Sequence, residues 1–309
     1  MHDFNVLSLF DGMSCAQIAL ERTEINYTNY FASEVDKYAR KVTLKNYPNT
    51  IELGDVREIK GTDLPKINLL IGGSPCQGFS LAGKQLNFDD PRSALFFEYL
   101  RLLEEIKPDY FVLENVKMKA EYRDKISELL GVEPILINSS LVSAQNRQRY
   151  YWTNIEGIEQ PKDRGIYLQD IIESVVVDRD KSFCIDANYF KGGNLKSYFE
   201  KHRRQLVFNK PFRISQGCKG GQGQRVYAVE GKSICLSANS GGWGGKTGIY
   251  YIDNGYRKLT PREAERLQTV PDDYSDCVSN TQRYKMLGNG FTVDVIAHIL
   301  SYIKRKSDA

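Results

Sequence analysis

Asn5-Val6-Leu7-Ser8-Leu9-Phe10-Asp11-Gly12-Met13-Ser14 is an apolar run that breaks at a glycine and passes into a helical pattern. A strand, a glycine turn and a helix start in that order expose backbone N–H groups to a ligand at the strand's carboxyl end. The turn lacks the G-x-G-x-x-G of dinucleotide sites. The same unit recurs downstream. Strand-like runs lie at 5–10, 30–34, 67–73, 110–115 and 149–154, with helix candidates between them at 14–22, 36–47 and 93–106. This alternation predicts βαβ units, and hence an α/β fold with a doubly wound, mostly parallel sheet covered by helices on both faces. Ligands on such sheets bind beyond the carboxyl ends of the strands. Chemistry is therefore expected just after each run.

The 309 residues are about two domains' worth, or one large domain with an insertion. With 41% hydrophobic and 26% charged residues the composition is that of a soluble globular chain, not of a disordered one. No window approaches the ~20 apolar residues of a bilayer span. Met1-His2-Asp3-Phe4 has no basic n-region, so no secretory signal is expected. The cysteines at 15, 76, 184, 218, 235 and 277 form no C-x-x-C pair, and there are only three histidines. Neither structural zinc nor a disulfide framework is supported, and a reducing cytoplasm is the expected compartment. No metal and no membrane are expected.

Charge and texture both change in the second half. Residues 196–225 hold eight Lys or Arg against the single acid Glu200, leaving 34 basic and 38 acidic residues elsewhere, a net of −4. Such a block suits a polyanionic partner, or is a solvated positive face. From about 175 to 255 helical periodicity fades, and ten of the 25 glycines fall within 217–248. This region reads as a smaller, loop-rich domain. Helical character returns at 261–268, with Pro261 suited to a first turn, and again at 291–304, where Val293, Ile296, Leu300 and Ile303 recur at helical spacing. The terminal helix is expected to pack back on the first domain. The expected division is 1–175 completed by 284–309, then 176–255, with 256–283 as a connecting segment.

Several strand ends carry chemistry. Glu34 lies 22 residues after Gly12, where an acid can hold ribose hydroxyls, and Asp55 follows Gly54 at a third strand end. Singly, each reads equally as a surface or capping residue; together they favour an adenosine-type ligand. Gly72-Gly73-Ser74-Pro75-Cys76-Gln77-Gly78-Phe79-Ser80 sets a cysteine just after an apolar strand, where a thiolate can act as a nucleophile or a thiol can be structural. Tyr110-Phe111-Val112-Leu113-Glu114-Asn115-Val116 ends an apolar strand in a carboxyl group. Desolvation there favours the protonated, donating form; the alternative is a helix cap. Gln145-Asn146-Arg147-Gln148-Arg149 offers two guanidinium groups at alternate positions, facing one way if the stretch is extended, for phosphate or carbonyl oxygens or as a solvated pair.

In these blocks and their order the sequence resembles the cytosine-5 DNA methyltransferase family in its compact bacterial and phage form. The blocks are Phe10-Asp11-Gly12, Glu34, Asp55, Pro75-Cys76-Gln77, Glu114-Asn115-Val116 and Gln145-x-Arg147-x-Arg149. Later come Arg257 to Glu263 with Arg266-Leu267-Gln268, and Gly288-Asn289. The resemblance implies a Rossmann-like, S-adenosylmethionine-dependent methyltransferase domain and a target-recognition domain over 176–255. It implies that Cys76 adds to carbon 6 of a flipped cytosine while Glu114 meets N3. Carbon 5 then takes the methyl group, and loss of its proton releases the cysteine. Arg149, supported by Arg147, would hold the cytosine O2.

The resemblance further implies that Phe10, Asp11, Gly12, Glu34, Val35, Asp55, Val56 and Asn289 line the cofactor site, and that Ser80 and Arg92 meet DNA. The stretch 77–90 resembles the family's mobile loop, and Gly220-Gly221-Gln222-Gly223-Gln224-Arg225 its recognition loop, with Gln222 and Arg225 as base readers. The expected partner is double-stranded DNA, met by a monomer in a bacterial or phage-infected cell. Departures from the family pattern are Ser14-Cys15-Ala16 in the first block, Ser74 before Pro75, Gly290 after Asn289, and Cys235-Leu236 where Thr-Leu is usual. Two other readings are a tRNA cytosine-5 methyltransferase on the same scaffold and a silent methyltransferase-like partner protein. The chain lacks the Cys-Phe-Thr tripeptide of the first, and it keeps Cys76, Glu114, Arg147 and Arg149, whereas the second typically loses the nucleophile or cofactor residues.

Overall fold

Val6, Leu7 and Leu9 have no exposed surface in β1 (Asn5–Leu9), and neighbours in the strand enter different cores: Val6 one, Leu7 and Leu9 the other. A strand with side chains buried on both faces needs layers on both sides of its sheet. The computed structural model, which describes residues 4–74, 94–173, 180–192, 195–208, 226–227, 249–250 and 256–307, supplies them. The other strands of the main sheet are β2 (Asn29–Ser33), β3 (Ile51–Glu52), β4 (Leu69–Gly72), β5 (Tyr110–Val116), β6 (Ile135–Asn138) and β7 (Gln148–Thr153). Their order is β3-β2-β1-β4-β5-β7-β6. All neighbours from β3 to β5 are parallel, and β7 runs antiparallel to both β5 and β6. The expected α/β fold with a mostly parallel, Rossmann-like sheet is the one observed.

Helices cover both faces. α1 (Cys15–Arg22), α7 (Pro261–Leu267), α8 (Asn280–Asn289) and α9 (Val293–Ser307) share one core, whereas α3 (Ala94–Ile106) and α4 (Ala120–Leu130) share the other. On α9, Val295, Ile296, Ile299, Leu300 and Ile303 form a buried stripe that packs with Ile18 and Ala19 of α1, and Asp294 pairs with Arg22. The terminal helix thus returns to the first helix of the chain. α7 starts on a capping box: Thr260 and Glu263 exchange side-chain-to-backbone bonds, and Pro261 takes the first turn, where its missing N–H costs nothing. Among the described residues no single helix is long and apolar enough to cross a membrane.

Elements not expected from the sequence are short or weakly patterned. α2 (Lys37–Asn46) and the helices named above leave α5 (Leu168–Ile171) and α6 (Leu195–Lys201) as one- and two-turn pieces, too brief to show a period. α8 is polar along most of its length, and β6 is an edge strand of four residues. β11 (Tyr256–Lys258) pairs antiparallel with β8 (Leu206–Phe208), and β10 (Ile249–Tyr250) pairs with β9 (Val226–Tyr227). Leu259, Ala264, Leu267, Val270 and Tyr274 are buried in the same core as α9, so these parts of 256–283 pack with it.

The strand order turns between β1 and β4. Connections leave β1 toward β2 and β3 on one side, and β4 toward β5 and β7 on the other, which opens a crevice beyond the strand ends. The motif residues divide across it.

Candidate active site

Three adjacent strands end in the first group. After β1, Phe10 and Gly12 adopt left-handed φ values of 56° and 61°. Glu34, following β2, folds back on this turn: Oε2 accepts the Gly12 N–H at 2.8 Å, and Oε1 accepts those of Val35 and Asp36 at 2.8 and 2.7 Å. Ser33 donates to the Gly54 carbonyl at 2.9 Å, drawing the end of β3 alongside. Asp55 then caps the next turn, and the Arg57 guanidinium and N–H hold its carboxyl down to about 2. Asn289, at the end of α8, is exposed. Gly290 beside it lies close to Cys15 and Met13, just past the glycine turn.

A Cβ built on Gly12 meets no atom within 4 Å, so the space over the turn is open. Val35 leaves 70% of its surface in solvent beside the Glu34 carboxylate. An acceptor for hydroxyls next to an apolar platform fits the ribose and base of S-adenosylmethionine. Two expected residues do not point outward. Asp11 is buried, with Oδ1 accepting from the Tyr30 hydroxyl at 2.6 Å and Oδ2 from Ser14, and Val56 lies in a hydrophobic core. For those two, any approach to a ligand is through the backbone, because side-chain packing has already claimed the rest.

Across the crevice, β4 and β5 bring the second group together. A Cβ on Gly73 would stand 3.1 Å from Glu114 Oε2 and 3.0 Å from the Phe291 ring, so the strand leading to Cys76 runs against the carboxyl group with no room to spare. Asn115 Nδ2 reaches Ser74 Oγ at 3.2 Å. Glu114, 7% exposed, was expected among apolar flanks alone; instead its Oε1 is paired with Arg149 Nε at 3.0 Å. The antiparallel register explains this. Glu114 lies opposite Tyr151 and Val116 opposite Arg149, so the Arg149 side chain needs to lean only two residues along the strand pair.

Arg147 precedes β7 and turns inward. Its Nη1 donates to the carbonyls of Ile185 and Gly288 at 3.3 and 3.2 Å, and its Nη2 to that of Gly290 at 3.0 Å. Both arginines nonetheless converge on Cys184. Burial pushes that thiol up, but the Arg147 and Arg149 guanidiniums more than offset it and leave it lowered. Burial, by contrast, pushes the Cys15 thiol up to about 12, with Asp11 adding to the effect. Nothing in the sequence distinguished Cys184 from the structural cysteines, since its partners lie 35 or more positions away. The Gln268 side chain, from the later motif block, donates to the Leu287 carbonyl and accepts from Thr292, bracing the same loop.

Gly288 sits where these segments cross. A Cβ there would lie 2.4 Å from both Ala187 N and Asp186 C, which are backbone atoms that cannot swing aside. Gly288→Ala is expected to cost ~1–3 kcal/mol of stability, as overpacking does, and to lower the urea midpoint of unfolding. An unchanged midpoint would show that the 186–187 segment yields freely.

Cys76, Ser80 and Arg92, with the loop 77–90, lie outside the described residues, as do Gln222 and Arg225. Among the described residues no group of three His, Cys, Asp or Glu side chains is placed to hold a metal ion.

The C-5 cytosine-specific DNA methylase family matches residues 4–305. The type II methyltransferase M.HhaI of Haemophilus parahaemolyticus is 30% identical over 95% of this chain and 92% of its own length. The type II methyltransferase M1.ScrFI of Lactococcus lactis subsp. cremoris is 32% identical over 95% of this chain and 76% of its own. Among solved structures, a Spodoptera frugiperda DNMT2 mutant superposes with a TM-score of 0.67 at 21% identity, covering 98% of this chain and all of that one, which is a likeness of fold. The chain therefore belongs to the C-5 cytosine-specific DNA methylase family: it is a DNA (cytosine-5-)-methyltransferase whose methyl donor is S-adenosylmethionine.

Proposed function

We propose that this enzyme methylates one short sequence in double-stranded DNA, that Cys76 is its nucleophile, and that Glu114 and Arg149 manage the charge on the cytosine ring. The observation that carries the reading is the Glu114–Arg149 pair, 3.0 Å apart at the ends of β5 and β7 and against the strand that leads to Cys76. Carbon 5 of cytosine is a poor nucleophile. Addition of the Cys76 thiolate to carbon 6 pushes electron density to carbon 5 and toward N3. Glu114 supplies the proton that N3 then needs, and Arg149 holds O2 and keeps Glu114 in place. Arg147 supports this pair from below by tying β7 to the 288–290 loop. S-adenosylmethionine would be held by Phe10, Gly12, Glu34, Val35, Asp55 and Asn289, with Asp11 and Val56 adding backbone alone, and would supply the methyl group that carbon 5 takes up; loss of the carbon 5 proton then expels Cys76. None of these cytosine atoms is reachable inside a stacked duplex, so the base is flipped out. Ser80 and Arg92 would then hold the DNA around it.

Recognition is assigned to residues 176–255 and chemistry to 1–175 with 284–309, joined through 256–283. The basic, glycine-rich stretch contains no catalytic block and carries most of the local positive charge. Phosphate contacts there would position the protein, while few side chains need read base edges. Gln222 and Arg225 are the candidate readers. The enzyme would act as a monomer on DNA in a bacterial or phage-infected cell, in keeping with relatives such as the orphan methyltransferase M.Rho11sI of Bacillus phage rho11s.

Bisulfite sequencing of mixed-sequence DNA, treated with the purified protein and S-adenosylmethionine, should show protected cytosines within one short motif. Protection in tRNA and none in DNA would overturn the reading. In the same assay Arg225→Ala should relax specificity at one position, at a cost of ~1–3 kcal/mol on the cognate site. A uniform loss on all sequences with a smaller salt slope would make Arg225 a phosphate contact instead.

A further inference from the structure

The glycine turn after β1 is held by a group that cannot itself reach a ligand. Phe10 and Ser14, neither of them glycine, both take left-handed φ values, 56° and 60°, on either side of Gly12 at 61°. Side chains with a Cβ adopt that region only when their surroundings hold them there. The centre of this arrangement is Asp11. It is 6% exposed, its N–H donates to the Ser33 carbonyl at 3.1 Å, and its carbonyl accepts the Ser14 N–H at 3.1 Å. Its carboxylate accepts from Tyr30 at 2.6 Å and from the Ser14 hydroxyl. One side chain thus fastens the turn forward to the start of α1 and sideways to β2.

We propose that Asp11 is a positioning residue for the methyl donor: as a carboxylate it holds the turn in the shape that binds the cofactor, and protonation releases that shape. The inference rests on the assignment of the Phe10–Gly12 turn to the cofactor site. An ionised carboxylate is an acceptor at both oxygens, and it meets two hydroxyl donors. Once protonated, one oxygen becomes a donor, so the Tyr30 or Ser14 hydroxyl on that side must reverse and accept, and the charge-assisted bonds that held the turn are lost. Burial, partly offset by the Ser14 and Tyr30 hydroxyls, raises the Asp11 carboxyl from 3.8 to about 6, within reach of ordinary assay conditions. The titratable groups around it are Tyr27 and Tyr30 on the β2 side, Glu34 past β2, Cys15 on α1, and Tyr274, whose hydroxyl bonds the Met13 carbonyl at 2.8 Å. Of these Glu34 bears the like charge, and it adds to the rise.

The sign on stability is opposite to that on binding. A carboxyl raised on folding stabilises the fold below its unfolded value of 3.8, and that contribution is lost as pH rises through about 6. At pH 8 the buried charge therefore costs stability. A neutral, isosteric residue should not melt earlier.

Calorimetric titration of the full-length protein with S-adenosylhomocysteine, between pH 5 and pH 8, tests this without relying on turnover. Wild-type Kd should rise about five-fold from pH 8 to pH 5, as expected for one protonation with a midpoint near 6 whose neutral form binds about ten-fold more weakly. Asp11→Asn should bind about ten-fold more weakly at pH 8, with no slope down to pH 5 and no fall in Tm. Tyr30→Phe removes one hydroxyl from the carboxylate and should move the midpoint upward. Asp11→Asn binding like wild type at pH 8, or keeping the wild-type slope, overturns the proposal. If that variant does not fold, Tyr30→Phe decides, and an unmoved midpoint overturns it equally. Wild-type protein that binds S-adenosylhomocysteine with a flat profile removes the role of Asp11 alone, whereas wild-type protein that does not bind it removes the cofactor assignment too.

Discussion

Cys76→Ala protein should methylate DNA at least ~10⁴-fold more slowly than wild type, the scale on which covalent enzymes lose rate without their nucleophile. The reason is electronic. Without a thiolate at carbon 6, carbon 5 has no enamine character with which to attack a methyl group. DNA with 5-fluorocytosine at the target gives a second readout. Fluorine cannot leave as a proton does, so wild-type enzyme should remain covalently bound after methyl transfer, visible as a shifted band on a denaturing gel. Cys76→Ala should give no such band. It should still bind S-adenosylhomocysteine, because the turn after β1 and Glu34 are untouched. Near-normal turnover by this variant would remove the covalent mechanism altogether.

Glu114→Gln should slow methyl transfer by ~100-fold or more, the usual range for removing a general acid. Glutamine keeps the volume of the side chain and an oxygen able to accept from Arg149 Nε, which lies 3.0 Å from Oε1 in the wild-type protein. What it lacks is a proton to give to N3. The loss should therefore appear in the rate of methyl transfer under single-turnover conditions, with little change in DNA affinity. A loss confined to DNA binding would recast Glu114 as a brace for Arg149. The contact between Gly73 and Glu114 makes the conservative change important, since a larger group would push on the strand leading to Cys76.

The parallel sheet was legible because β1, β2, β4 and β5 are largely buried runs closed by turns, whereas the two-residue β3 is not buried, and burial on both faces leaves a pattern that composition cannot hide. The position of Glu34 followed from the same rule, since it stands just past β2, and Glu114 lies near the end of β5. Elements with little periodicity escaped: α6 has only seven residues, and α8, although five of its residues are buried, is largely polar.

Strand ends and residue types along the chain were enough to place an acid, a thiol and two guanidiniums at the carboxyl edge of an α/β sheet, and to expect cofactor and cytosine chemistry there. Local sequence carries that information because strand, turn and helix starts depend on neighbours a few residues away. Which groups touch was decided by contacts between distant segments. Arg149 meets Glu114 because β7 runs antiparallel to β5, a choice that no local pattern encodes. Arg147 turns inward because the carbonyls of Ile185, Gly288 and Gly290 converge on it from parts of the chain up to 143 residues away. The Asp11 side chain is a buried strut because Tyr30, on the neighbouring strand, and Ser14 close over it. Hydrogen-bond geometry at the site is set by register and packing, and these exist only once the sheet has formed.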